Sequence, residues 1–434
     1  MKILLYTDLT IRPDQLFWHR DLGLLTKAFR DLGHNAYLVA HPATEPIATP
    51  AVPNELDQPR EQHCEAHQGL PRLSVAGPHS PLPTFAPSHI PTSAAYNINH
   101  PTSKILDEPV LWASTSQVRD KEWWKVHHPD LVILGLWTRP KYDPIRRAAL
   151  SATPHVIERA DSDGMRTASC GLLTYAKRRF DYFRDRTFRW PSPLSILAST
   201  FYSFASILAT PWIEYRLRKT LRLLPSILVE TPPATLLWKS LAGRLEVDPS
   251  KIHCVPHPIQ ADIFKFDPAI QKNNQIISVG RWESYQKNLP LLLKTLRDFL
   301  DKNPSWTSLV IGSGLPPKSP HPRITFLSST APNQLARHMQ ESKIFLFSSR
   351  YESFLMSGVE ALSCGCAVVG PSDISVLGNS TISVKDSFWR SPLNLLTQKL
   401  QIASVSEKPA TSLIENTRFS SPTTVAQRIL LLIP

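Results

Sequence analysis

The sequence predicts an α/β protein built from two doubly wound halves that face a cleft, and three observations carry that expectation. Apolar runs suited to strands alternate with segments of helical spacing, first from Ile3 to Ala40 and again from Ile276 to Val369, the order of parallel sheets with right-handed crossovers. A chain of 434 residues with 42% apolar content can bury several cores and is not disordered throughout. The stretch Ser348 to Asp373 follows a strand, Ile344 to Phe347, and ends in another, Ala367 to Val369. If Phe354 to Cys364 is a helix, Glu352 and Glu360 lie near one face of it. Open α/β sheets bind ligands at such strand ends, and helix-start amides there favour phosphate.

Taken in order, Ile3 to Thr7 is a buried strand, and Leu22, Leu25, Ala28, Phe29 and Leu32 form a helical face before Gly33. Tyr37 to Ala40 is the next strand. The opening run is too short for a signal peptide, and the loop Asp8 to His19 lacks the glycine fingerprint of a dinucleotide site. Residues 42–109, rich in Pro, His, Ser and Thr, are expected to be a long irregular insertion. Val110 to Val126 reads as a helix, Leu131 to Leu134 and His155 to Glu158 as strands. The acidic run Asp161-Ser162-Asp163-Gly164 past the second of these could hold a hydroxylated substrate or a metal, or simply cap a turn.

The net charge of +12 points to acidic partners. Its densest part is the segment 177–222, where Lys177, Arg178, Arg179, Arg184, Arg186 and Arg189 precede an uncharged stretch, 190–213, and Arg216, Arg218, Lys219 and Arg222 follow. Within that stretch Ser195, Ser199, Ser203, Ser206 and Thr210 form a stripe opposite Leu197, Phe201, Phe204 and Leu208. One amphipathic helix with basic flanks is expected, lying either on an anionic membrane surface or against the core. The charges do not interleave with a base-reading motif, so no nucleic-acid partner is expected. Five cysteines in no paired metal spacing read as reduced thiols of a cytoplasmic protein. Cys364-Gly365-Cys366 fits a small-residue helix end better than a redox or metal site.

Ile227 to Val229 and Ile252 to Pro256 close the first half, and Asp262 to Asn274 leads into the second β-α series. Its strands are Ile276 to Val279, Ser308 to Ile311 and Ile324 to Leu327, with a helix from Leu289 to Leu300. Here the motifs stand in register: Val255-Pro256-His257-Pro258-Ile259 with Phe264, Val279-Gly280-Arg281 with Lys287, Val310-Ile311-Gly312-Ser313-Gly314, Glu352 to Glu360, and Ala361 with Gly365 to Val369. Residues 252–373 thereby resemble the donor-binding half of a family 4 (group 1) glycosyltransferase of the GT-B fold, two Rossmann-like domains. The first half resembles it only in strand–helix order and in pieces such as His128-Pro129-Asp130.

The resemblance implies domains at 1–255 (acceptor side) and 256–415 (donor side), with a tail, 416–434, whose segment Ala426 to Ile433 returns to the first domain. It implies a retaining, metal-independent transfer of a sugar from a UDP- or GDP-sugar to a glycan, lipid-linked or other acceptor, with no cofactor; a cytoplasmic protein is expected, peripheral at the inner membrane if the segment 177–222 faces lipid. Arg281 and Lys287 would stabilise the leaving diphosphate. Glu360 would read the ribose and Glu352 the donor sugar, a buried acid within an apolar helix needing such partners. Gly280, Gly312, Gly314, Ser353, Phe354, Leu355 and Met356 complete the implied donor site. Departures are Ser353 and Pro258 in place of glycines, no glycine pair in the first loop, and Ala160-Asp161 where a catalytic histidine is usual, so Asp161 and Glu352 are the catalytic candidates. A catalytically weak scaffold or an epimerase-like enzyme is the alternative.

Overall fold

The computed structural model describes residues 1–11, 21–42, 109–160, 176, 180, 193–328, 330–350, 352, 354–370, 392–405 and 421–433. Most of the insertion expected at 42–109, the acidic run from Asp161, the cations Lys177 to Arg189 and Ser353 fall outside these residues.

Seven parallel strands form the first sheet, in the order β3-β2-β1-β4-β5-β6-β7. They are β1 (Lys2–Ile11), β2 (Asn35–Pro42), β3 (Val110–Trp112), β4 (Leu131–Gly135), β5 (Val156–Arg159), β6 (Ser226–Val229) and β7 (Ile252–Cys254). Strand alternation decides which helices cover which face. Leu4 and Tyr6 point to the side packed by Trp124, Ile145, Leu221 and Trp238, from α2 (Lys121–His127), α3 (Asp143–Leu150), α5 (Thr210–Leu223) and α6 (Pro232–Arg244). Ile3 and Leu5 point to the other side, against Leu22, Leu25 and Phe29 of α1 (Asp21–Asp31). That side is completed by Val425, Ala426 and Ile429 of α11 (Pro422–Leu430), capped by Ser421 Oγ accepting from Thr424 N. The last helix of the chain therefore packs on the first one.

The second sheet has five parallel strands, β10-β9-β8-β11-β12: β8 (Asn273–Val279), β9 (Thr307–Ile311), β10 (Ile324–Leu327), β11 (Ser342–Leu346) and β12 (Ala367–Val369). Between its strands run α7 (Leu289–Lys302), α8 (Pro332–Glu341) and α9 (Met356–Ser363), and α10 (Pro392–Val405) follows β12. Lys272 ties this half together. Its Nζ donates to the carbonyls of Met339, Gln340, Ser342 and Cys364 at 2.7–3.2 Å, placing a cation at the carboxyl ends of α8 and α9, where helix carbonyls run short of intrahelical donors. Cys364 and Cys366 are buried beside it. Burial raises both thiols, Cys366 to about 11, so they are inert packing residues.

Three expectations change. Val110 to Val126 is not one helix: Val110–Trp112 pairs with β2 as an edge strand, and Asp120, accepting from Glu122 N, starts α2. β-branched and aromatic residues favoured the strand, and the serines after it broke the run. The helix after β11 begins at Met356, because Leu355 takes a left-handed conformation (φ 55°). Residues 190–213 do not form a single helix; α4 (Pro193–Leu208) and α5 are bent by 57°, with Pro211 in the first turn of α5.

Candidate functional site at the ends of β8 and β9

The chain crosses itself closely where β8 and β9 end. Gly280 N donates to the Ile311 carbonyl at 3.1 Å and Trp282 N to that of Ser313 at 2.8 Å. Gly312 has φ +138°, and a Cβ there would lie 1.8 Å from the Gly280 carbonyl oxygen. Only glycine fits such an approach. Gly314 (φ +72°) is equally confined, its would-be Cβ 2.4 Å from Glu283 N. These glycines leave a floor of backbone, and above it opens a cavity of about 290 Å³.

Five residues expected in a donor site line that cavity: Gly280, Arg281, Lys287, Gly312 and Glu360. Glu360 sits on α9 with 8% exposure, facing the cavity across from the β8 loop. Four more polar residues line it that sequence reasoning missed, Gln260, Ser313, Thr330 and Ser357. Thr330 Oγ1 is buried and has no hydrogen-bond partner among the described residues. An unmet buried hydroxyl costs roughly 1–3 kcal/mol unless a ligand engages it. No motif flags Thr330; only its position after β10 places it.

The remaining candidates take other places. Glu352 lies before α9 rather than on it, and its Oε1 accepts from Lys287 Nζ at 2.6 Å, the two side chains being 8% and 16% exposed. The two acids therefore do not share a helix face: Glu360 faces the cavity, and Glu352 is bound to a cavity cation. Phe354 and Leu355 are buried with Ile259, Phe264 and Phe347, so their side chains are core. Gly314 and Met356 lie outside the cavity lining. Asp161 and Ser353 fall outside the described residues.

The loops are braced from below. Ser348 Oγ donates to the carbonyls of Lys287 at 2.7 Å and Asn288 at 3.2 Å, and Arg350 N donates to that of Gln286 at 2.8 Å. The segment after β11 thus holds the turn that carries Lys287.

A second polar cluster joins the two halves. His257, in the connection after β7, places Nδ1 3.1 Å from Asp21 Oδ1 and Nε2 against Glu230, with Arg159 Nη1 3.1 Å from Nδ1. Its ring meets the edge of Phe354 at 5.4 Å between centroids. Burial lowers the imidazole pKa, but Glu230 and then Asp21 outweigh it and push it up to about 9. The ring is accordingly a cation held between two carboxylates. Among the described residues, no group of three or more His, Cys, Asp or Glu side chains could hold a metal.

Residues 273–381 match the family model for glycosyl transferases group 1. A GDP-mannose:cellobiosyl-diphosphopolyprenol alpha-mannosyltransferase of Xanthomonas campestris is 24% identical over 130 residues, 27% of this chain and 34% of that protein. The alignment thus spans about a third of that relative's length. Among solved structures, the sucrose-phosphate synthase of Thermosynechococcus elongatus superposes with TM-score 0.53 at 13% identity, covering 99% of this chain and 98% of that one. The lipopolysaccharide outer core galactosyltransferase WaaB gives 0.52 at 12%, covering 100% and 99%. Anabaena HepE, solved with UDP-glucose, gives 0.51 at 12%, covering 99% and 98%. These likenesses establish the GT-B architecture of two Rossmann-like domains.

Proposed function

We propose, for a GT-B chain whose residues 273–381 belong to the glycosyl transferases group 1, that it transfers a sugar from a UDP- or GDP-sugar to a glycan or lipid-linked acceptor. The observation that carries this reading is the glycine-floored cavity at the ends of β8 and β9, walled by Arg281, Lys287 and Glu360. Such a floor lets a diphosphate approach backbone, and the two cations oppose the charge that develops as the glycosidic bond breaks, without requiring a metal. Glu360 accepts from ribose hydroxyls. Thr330 and Gln260 are placed to meet the base. Glu352, held by Lys287, faces the donor sugar, and the transfer proceeds with retention, as the family resemblance implies. The relatives name GDP-mannose in one case and UDP-glucose in another, so both bases belong in the test. Titration with UDP and GDP, followed by transfer from labelled UDP- and GDP-sugars, should show one base preferred. Glu360→Ala and Lys287→Ala should each weaken nucleotide binding about 10- to 100-fold. Unchanged binding in both variants would overturn the assignment, and binding without transfer to any acceptor extract would favour the scaffold alternative.

We further propose that α4 and α5 dock on an anionic bilayer. Two serines of the α4 stripe, Ser199 and Ser203, are buried, and Ser203 Oγ donates to the Ala176 carbonyl at 2.7 Å. The apolar face turns out: Leu197, Phe201, Phe204, Leu208 and Trp212 are all more than half exposed. Arg216 stacks over Trp212 and Lys219 over Tyr215, so cations border the apolar surface, the combination that suits anionic headgroups. No single helix among the described residues is long and apolar enough to cross a membrane, although the bent pair meets that test together. Sedimentation with phosphatidylglycerol vesicles at low salt should be lost in Leu197→Ser/Phe201→Ser. Equal sedimentation of this variant, or lipid-free dimerisation that the substitution abolishes, would sink the bilayer assignment.

A further inference from the structure

The first half contains a cavity of about 530 Å³ that the donor site does not use. It opens at the carboxyl ends of β1 and β2, where open sheets bind ligands. Its walls are Tyr6, Asp8, His41, Arg119, Lys141 and Tyr142, with Ser114 and Thr115 at its margin.

The inner wall is a set of fixed hydrogen bonds. His41 Nδ1 lies 2.8 Å from the Ala113 carbonyl, which can only accept, so Nδ1 carries the proton and Nε2 accepts from Tyr6 Oη at 2.9 Å. Burial and then the Asp8 charge raise the Tyr6 pKa, keeping that hydroxyl protonated. Tyr142 Oη donates to Asp8 Oδ2, while Asp8 Oδ1 is buried with no partner among the described residues. One acceptor is therefore unmet at the wall. The rim is cationic. Arg119 and Lys141 are exposed and neither forms an ion pair among the described residues.

The wall that carries Lys141 and Tyr142 is held in an unfavourable conformation. Trp137 and Thr138 both have positive φ, 49° and 52°, an arrangement that costs about 1–3 kcal/mol per residue and persists where surroundings enforce it. The enforcement is a buried ion pair. Glu158 Oε1 accepts from Thr138 N at 2.6 Å and from Arg146 Nη2 at 2.6 Å, and its Oε2 accepts from Arg146 Nε at 2.5 Å. Arg146 Nη1 donates to Asp143 and to the Arg139 carbonyl. Both Arg146 and Glu158 are fully buried. Burial pushes the Glu158 carboxyl up against the pull of Arg146. Strain maintained by such a network belongs to a site rather than to a plain connection.

We infer that this cavity binds the acceptor through a phosphate or diphosphate group on Arg119 and Lys141, with Asp8 accepting from a hydroxyl of the same molecule. Two cations with no ion pair among the described residues, Lys141 lying over the Tyr142 ring at 4.4 Å, beside an acceptor with no partner among them, fit a compound that carries both an anion and hydroxyls, a phosphorylated sugar or a diphosphate-linked one. A neutral glycan would leave both cations unused. The assignment deepens the glycosyl-transfer reading and rests on it for the word acceptor, while the phosphate site itself is readable without turnover.

The full chain is titrated with glucose 1-phosphate, with glucosyl-diphosphoundecaprenol in detergent micelles, with glucose and with empty micelles, each also in saturating UDP or GDP. Phosphate-bearing probes should bind and glucose should not, and whichever phosphate probe binds tighter identifies the free or the lipid-linked source. Arg119→Gln/Lys141→Gln should weaken that binding by 10-fold or more while leaving the affinity for UDP or GDP intact. Arg119→Lys/Lys141→Arg should restore part of it. Equal affinity for the phosphate probe in wild type and the glutamine variant, or no binding of either phosphate probe, overturns the inference. Loss of nucleotide binding with the phosphate probe still bound would instead count against the donor reading alone.

Discussion

The two cavities of this protein are built from different materials. The one at β8 and β9 has a main-chain floor, where Gly280 and Gly312 bring two strand ends into contact under the side chains of its walls. The one at β1 and β2 is made of side chains drawn from Tyr6, His41, Arg119 and Lys141, more than 130 positions apart at the extremes. A backbone-built site constrains residue type at every position where the chain must approach closely, and so leaves a motif. A side-chain-built site needs only that a few suitable groups arrive at one place.

A pair of substitutions tests that contrast most directly. Gly312→Ala puts a Cβ into the Gly280 carbonyl and forces an alanine to φ +138°, so UDP or GDP binding should be abolished, with the phosphate probe still held by the first half. Arg146→Met strips the fully buried Glu158 of the cation that offsets its burial, which should destabilise the fold by about 3–5 kcal/mol in urea titration. Arg146→Met/Glu158→Leu should recover much of that loss, yet release Thr138 N from its partner and slacken the wall. If the double variant keeps wild-type phosphate binding, the ion pair does not position that wall.

The same contrast explains what could be read from the sequence. Both sheets were legible, because buried parallel strands are continuous apolar runs and their helices keep a regular face. The cations Arg281 and Lys287 and the acid Glu360 were legible as donor-site candidates through the glycines and apolar runs around them. Thr330 and Gln260 were not, since a single polar residue after a strand looks like any turn. The pairing of Glu352 with Lys287 was hidden as well: it depends on the left-handed Leu355, which delays the helix and leaves Glu352 on the loop. Residues 190–213 showed their amphipathicity but not its direction. Spacing defines two faces, and only packing decides that Ser199 and Ser203 go in and Phe201 and Phe204 out. Asp143, which read as nothing in the sequence, accepts from both Arg146 and Thr220 and so links α3 to α5.

His257 lies in the connection after β7, with first-half residues around its ring and Phe354 at its edge, and its titration offers the mildest test of how the halves are joined. The groups that face its ring are Asp21 from α1, Glu230 after β6 and Arg159 on β5, with Phe354 at its edge. The folded-state pKa is raised, to about 9 from 6.5. A raised value means that the folded protein holds its proton more tightly than the unfolded chain, so the stabilisation is complete below pH about 6.5 and drains away as the pH climbs through about 9. Stability should therefore fall between pH 6.5 and 9.5 by about 2–3 kcal/mol. His257→Gln should be less stable than wild type at pH 6.5 and should flatten the slope, because a neutral amide cannot answer both carboxylates at either pH. Urea midpoints measured across that range decide it. An unchanged slope in the variant would mean that Asp21 and Glu230 are satisfied by Arg159 alone, and that the joint between the first half and the second half does not depend on the charge of His257.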